Sequence, residues 1–201
     1  MLNMFPRSHL HRKTLFSFDA EFVDTGNSVE LISIGFVRQD GAELYLENGN
    51  FLERSGHLLD DWMNQHVMGK TFMITAPDDD RIVPHADMAG LVSRFLLADG
   101  SSPSIWAHYA PYDYVAFAQL FGRVIDIPDG LPRFAMDFRV MQELTGIKPP
   151  SQSPENSHHA LIDARWGKLA FASFGIPFQA YDPVRDRALP DPSAINDPAP
   201  A

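Results

Sequence analysis

Asp19 and Glu21 stand two residues apart in TLFSFDAEF (14–22), a run that is otherwise apolar and β-prone. A strand's period of two turns both carboxylates to one side. Side by side they would repel, and burial would push their pKa values up. A bound divalent cation removes that conflict; a water-facing acidic strand edge has no such conflict, and this strand alone leaves both readings open. Asp113 lies just inside an expected helix that follows a short apolar run. There it could hold an ion or serve the helix dipole. His158 and Asp163 are five positions apart at the last helical stretch. That spacing puts them on different helix faces, so they converge only if His158 precedes the helix or starts it. His159 reads as a polar surface residue. The chain has no cysteine, which excludes a thiolate zinc site, a cysteine nucleophile and a disulfide scaffold. The remaining oxygen donors suit hard cations.

These residues need elements to position them. After the first strand, DTGN is a turn and VELISIGFVR (29–38) a second strand. Asp-Gly in QDGA (39–42) signals a hairpin into a third strand, ELYLE (43–47). The period then changes. HLLDDWMNQHVM (57–68) reads as a helix, and 85–98 carries a helical stripe of Met88, Leu91, Val92, Phe95 and Leu96. SIWAHYA (104–110) is a short strand, and Pro111 suits the first turn of a helix that Gly122 stops. A helix over 137–146 ends in Gly146. Ser157 is the expected N-cap of a final helix over 158–175. Strands, helices, strand and helices in this order predict an α/β chain with a mixed sheet flanked by helices.

The length of 201 residues and 45% hydrophobic content fit one domain. We expect it over 14–180. Residues 1–13 form a basic arm with Arg7, Arg12 and Lys13, and the Pro-rich stretch 181–201 has too few apolar residues to pack. No apolar run reaches the roughly 18 residues of a membrane span. The N-terminal stretch lacks the apolar region of a secretory signal. The lack of cysteine fits a reducing compartment, so a cytoplasmic location is expected. The net charge of −10 argues against tight nonspecific nucleic-acid binding. Acids collected to hold cations would produce the same balance.

The pattern is joint: D-x-E in a first strand, an Asp at a strand–helix junction, then H-x(4)-D at a final helix. FDAEF (18–22), AHYAPYDYVAFAQL (107–120) and HHALIDAR (158–165) resemble the DEDD superfamily of 3′–5′ exonucleases, in the subgroup with a His-x(4)-Asp third motif. ELISIG (30–35) and PRF (132–134) look like one branch, the polyadenylate-specific exoribonuclease (RNase AS) family of mycobacteria. The resemblance spans roughly residues 14–175. It implies a ribonuclease H-like fold with a five-stranded mixed sheet, and two Mg²⁺ or Mn²⁺ ions held by Asp19, Glu21, Asp113 and Asp163. It further implies release of nucleoside 5′-monophosphates from single-stranded RNA with a free 3′ end, a preference for 3′ adenosine runs, and a homodimer. His158 would then be the base that takes a proton from water, a task its ordinary pKa near 6.5 suits.

Substrate contacts are less sharply marked. Phe22, Tyr109, Tyr112 and Trp106 are candidate stacking surfaces for bases, though such residues also build cores. Glu30 could accept from a base amino group, support the cation ligands, or simply face water at a strand end. Arg165 belongs to a scatter of cations (Arg123, Arg133, Arg139, Lys148 and Lys168) that could meet phosphates. A DNA-directed 3′–5′ exonuclease fits the same motifs, because ribose 2′-hydroxyl contacts separate the two. A catalytically silent nucleic-acid-binding module, or an interaction protein with merely solvated acids, would not need all five residues of the set.

Overall fold

The structure is a computed structural model and describes residues 13–98, 100, 102–153 and 157–176. Residues 1–12 of the expected arm and all of the 181–201 tail lie outside the described residues. Lys13 opens the first strand, β1 (Lys13–Asp24), rather than closing the arm.

β1, β2 (Val29–Arg38) and β3 (Glu43–Asn48) form the expected antiparallel meander. The chain continues through α1 (Phe51–Ser55), α2 (Asp61–His66), α3 (Phe72–Thr75), β4 (Ile82–Val83), α4 (His85–Leu96), β5 (Ser102–Ala107), α5 (Ala110–Gln119), β6 (Met136–Asp137), α6 (Phe138–Thr145) and α7 (Ala160–Ser173). The sheet order is β4-β3-β2-β1-β5-β6, with β4, β5 and β6 joined in parallel to their neighbours. This is the α/β mixed sheet the sequence predicts, consistent with a ribonuclease H-like fold. It has six strands rather than five, because β4 and β6 are two-residue strands too short to show a period.

Helices cover both faces. On one, Phe16, Phe18 and Ala20 of β1 and Ile34 and Phe36 of β2 pack against Met88, Val92 and Leu96 of α4 and Phe117 of α5. On the other, α7 lies across the sheet. Its Ala160, Leu161 and Ala164 meet Val37 and Tyr45, and its Phe171 joins Leu15, Trp106 and Phe138. Two glycines permit this close crossing. A Cβ on Gly35 would sit 2.5 Å from the Leu161 nitrogen, and one on Gly167 would collide with the Ser17 hydroxyl. Gly35 pairs with Asp19 across β1 and β2, so α7 begins directly beside the D-x-E strand.

Two expected elements differ. The helix over 57–68 is broken into a 3₁₀ turn (Gly56–Leu58), α2 and a second 3₁₀ turn (Met68–Lys70). Leu59 is extended, and the Asp60 carboxylate accepts from the Met63 amide at 2.7 Å, starting a new helix there. Ile32 with Phe51, Val67, Met68 and Met73 then buries the segment in a core of its own. Nor is Ser157 the N-cap of the last helix. α7 begins at Ala160 with His159 in the cap position. The Asp163 carboxylate takes up the amides of His158 and His159 that a capping hydroxyl would otherwise serve.

Candidate active site

Ser17, Asp19 and Glu21 share the α7 face of β1. The β1–β5 ladder runs only from the Lys13–Ser102 pair to the Ser17–Trp106 pair, so β1 projects beyond its parallel neighbour just where the acids lie. The chain leaves β5 at Ala107, turns through His108 and Tyr109, and enters α5 with Pro111 in its first turn. Asp113 follows one turn into α5. Its Oδ1 accepts from the Ala20 amide at 2.8 Å, replacing the sheet partner that β5 no longer supplies. The carboxylate therefore ties α5 to the D-x-E strand, a role beyond that of a helix-dipole acid.

Asp163 arrives from the opposite side on the first turn of α7. Its Oδ2 accepts from the amides of His158 at 2.8 Å and His159 at 3.3 Å, and its Oδ1 from the side chain of Gln152. These bonds gather Gln152, His158 and His159 around the helix start. They solve the spacing problem, since His158 lies before the helix. Asp19, Glu21 and Asp163 each offer a carboxylate oxygen, all within 4.8 Å of one another. Asp113 stands next to them and acts on them electrostatically.

The electrostatics describe a crowd of buried carboxyl groups. Burial first, then repulsion from Asp113, Asp163 and Glu21, pushes the Asp19 carboxyl well above its ordinary range. Burial and then Asp163 and Asp113 do the same to Glu21, against a lowering pull from Lys70. Asp113 is pushed up to about 7, mainly by burial. Asp163 is pushed up to about 6, also by burial, although its hydrogen bonds pull the other way. Four carboxyl groups that resist joint ionisation are the chemistry a divalent cation relieves. Oxygen donors from β1 and α7 suit Mg²⁺ or Mn²⁺.

His158 is half-buried beside this cluster with φ of 64°, in the left-handed region. Burial, followed by the charges of Lys70 and His66, holds its pKa below the usual value and disfavours the charged imidazole. His159 is buried, not on the surface as expected; its ring stacks on Tyr45 at 4.6 Å, and burial lowers its pKa to about 4.

The acids line a cleft of about 600 Å³. Phe22, Tyr109 and Tyr112 line it too. Phe22 and Tyr112 are parallel, with ring centroids 6.0 Å apart, and Tyr109 is 58% exposed. Other expectations fail to meet here. Trp106 is core, packed on Phe138 and Phe171. Glu30 does not line the cleft; its carboxylate accepts from the hydroxyls of Ser28 and Ser55. Arg165 is buried against Glu43, with bonds of 3.0 and 2.6 Å. The direction of α7 decides this, because residue 165 faces the sheet when residue 163 faces the cleft. Lys168 is buried as well, whereas Arg139 and Lys148 do line the cleft.

The structure adds residues that the motifs did not mark. Lys70 donates to the Ser157 carbonyl, and Trp62 meets the His158 ring edge-on at 4.9 Å. Gln152 holds Asp163. No period or spacing singles them out. Gly35 had a signal, since ELISIG was part of the resemblance, but not a reason.

A family model described as the 3′–5′ exoribonuclease Rv2179c-like domain matches residues 14–174. Two curated relatives are each 34% identical over 152 residues, which is 75% of this chain and 86% of theirs. They are 3′–5′ exoribonuclease Rv2179c of Mycobacterium tuberculosis strain H37Rv and 3′–5′ exoribonuclease MT2234.1 of strain CDC 1551.

Proposed function

The chain belongs to the Rv2179c-like family of 3′–5′ exoribonucleases, and from that premise we propose that it removes nucleoside 5′-monophosphates one at a time from the 3′ end of single-stranded RNA, using two divalent cations. The observation that carries the reading is the convergence of Asp19, Glu21 and Asp163 within 4.8 Å beside His158. Asp19, Glu21, Asp113 and Asp163 would hold Mg²⁺ or Mn²⁺. When bound, such cations would polarise the phosphodiester and the attacking water and offset the charge on the departing 3′-oxygen.

The protein's own residues do the rest. His158, whose charged form burial and Lys70 disfavour, takes a proton from the water as the new oxygen–phosphorus bond forms. The bond from phosphorus to the 3′-oxygen of the penultimate nucleotide then breaks, and a proton from solvent completes that hydroxyl, the new 3′ end. Phe22 with Tyr112, and Tyr109 in the same cleft, offer stacking surfaces for bases. Arg139 and Lys148 supply positive charge along the cleft. The adenosine preference, the single domain over 14–180, the homodimer and the cytoplasmic location implied at the outset belong to this proposal. Among the described residues no helix is long and apolar enough to cross a membrane.

The test is digestion of equal-length oligomers of A, U and C, and of DNA, each labelled at the 5′ end, with Mg²⁺ or Mn²⁺. We expect stepwise shortening from the 3′ end, nucleoside 5′-monophosphate products, RNA favoured over DNA and A over U and C. Equal rates on RNA and DNA would favour the DNA-directed reading, and equal rates on the three RNAs would remove the adenosine preference alone. Light scattering on the full chain reads the oligomeric state.

A further inference from the structure

His158 stands in a left-handed backbone conformation that a non-glycine residue rarely adopts and that persists only where its surroundings impose it. The surroundings act on all three residues of the turn. On the preceding residue, the Lys70 ammonium binds the Ser157 carbonyl. On His158 itself, the indole edge of Trp62 packs against the imidazole, with centroids 4.9 Å apart and planes at 80°. On the following residue, the Tyr45 ring stacks on His159. The amides of both histidines are held by Asp163.

The two outer contacts trace to one rigid support. The Tyr45 hydroxyl donates to Glu47 at 2.7 Å, and the same carboxylate accepts the Phe72 and Met73 amides at 2.7 and 2.8 Å. Glu47 is fully buried, and Thr71, next to Phe72 in sequence, is buried too; its hydroxyl donates to the Met68 carbonyl. Val67, Met68 and Met73 are packed into the core beneath. Lys70 therefore projects from a backbone fixed on both sides. Trp62 is 48% exposed, yet its indole is stacked on His66 at 4.8 Å, and the His66 Nδ1 lies 2.9 Å from the Trp62 carbonyl.

We propose that the broken-helix segment 61–73 is a positioning device for His158, in which Lys70 fixes the turn at Ser157 and Trp62 fixes the orientation of the imidazole. The inference rests on the reading of His158 as the proton acceptor. Lys70 and Trp62 are positioning residues: they act through His158 and touch neither substrate nor cation. Misplacing a reacting group by about 1 Å can cost about 100-fold in rate, so removing either contact should lower turnover with little change in RNA binding.

The experiment is single-turnover kinetics of the full chain on a single-stranded RNA oligomer with Mg²⁺. The variants are Lys70→Met, Lys70→Arg and Trp62→Ala, each made in the native and in the His158→Ala background. We expect Lys70→Met and Trp62→Ala to lose about 10- to 100-fold in maximal rate with an unchanged half-saturating RNA concentration. Lys70→Arg, which still reaches the carbonyl, should recover most of the rate. In the His158→Ala background neither substitution should cost anything more, because residues that act through one group are not additive. Mn²⁺ should still raise the melting temperature of Lys70→Met by at least as much as that of the native chain, since an opposing cation has gone. Equal fold losses in both backgrounds, or a loss expressed in RNA affinity, would overturn the proposal and make Lys70 or Trp62 a direct substrate contact. Full activity in Lys70→Met and Trp62→Ala would overturn it too. Failure of the parent reading is separate: it shows as an undiminished rate in His158→Ala alone.

Discussion

Asp113→Asn isolates the electrostatic strain of the acidic cluster from its geometry. The amide oxygen of asparagine can still accept from the Ala20 amide, so the link between α5 and β1 survives while one negative charge goes. The Asp113 carboxyl is raised from 3.8 to about 7 in the folded protein, chiefly by burial. The folded state thus binds the proton more tightly than the unfolded state. Its contribution to stability is intact below the unfolded pKa and is lost as pH rises from there towards the folded value. That difference destabilises the cation-free native protein by up to about 4 kcal/mol at pH 8, against about 2 kcal/mol at pH 5. Asparagine does not titrate, so the variant should match or exceed the native chain in stability, with an advantage that grows by about 2 kcal/mol between pH 5 and pH 8. Urea denaturation in EDTA, run across that pH range, measures it. Mn²⁺ should reverse the order. A ligand at one hundred times its Kd adds about 2.7 kcal/mol to the native chain, and less to a variant that has lost a ligand oxygen. Nuclease turnover should fall below detection. Parallel stability–pH curves for the two proteins in EDTA would refute the reasoning, because Asp113 would then ionise without opposition. Retained turnover would refute its place among the cation ligands.

Other perturbations probe the frame. His158→Ala should cut turnover by about 10²–10⁴-fold while Mn²⁺ still raises the melting temperature; His159→Ala removes a buried ring stacked on Tyr45, so it should lower thermal stability as well as rate, read by calorimetry beside the nuclease assay. Gly35→Ala would place a Cβ against the Leu161 backbone and push α7 off the sheet, so it should lose stability and Mn²⁺ response together in a thermal-shift assay. Glu30→Gln should leave the ratio of rates on A and U oligomers unchanged, because this carboxylate faces Ser28 and Ser55; an altered ratio would bring it back to the base. Deleting 182–201 should leave folding and turnover nearly unchanged, measured by circular dichroism and RNA digestion.

Neighbours along the chain were enough to specify several features. The period of two in FDAEF set both acids on one face, Asp-Gly in QDGA turned β2 into β3, and Gly146 ended α6 in the left-handed conformation expected of it. Three motifs in order carried the family, because each rests on a strand, a junction or a helix start that local stereochemistry specifies. Which groups meet depended on the packing of distant segments. Asp113 reaches a β1 amide 93 positions away, Lys70 a carbonyl 87 positions on, and Arg165 a glutamate 122 positions back rather than a phosphate. The helix expected over 57–68 broke because Asp60 restarts it and a separate core buries its end. His158 took a conformation that its own residue type disfavours. Local rules rank conformations by differences of about 1 kcal/mol per residue. Burial and packing of distant segments contribute more than that at a single site, so where they conflict the packing prevails, and here the conflicts gather around the acids.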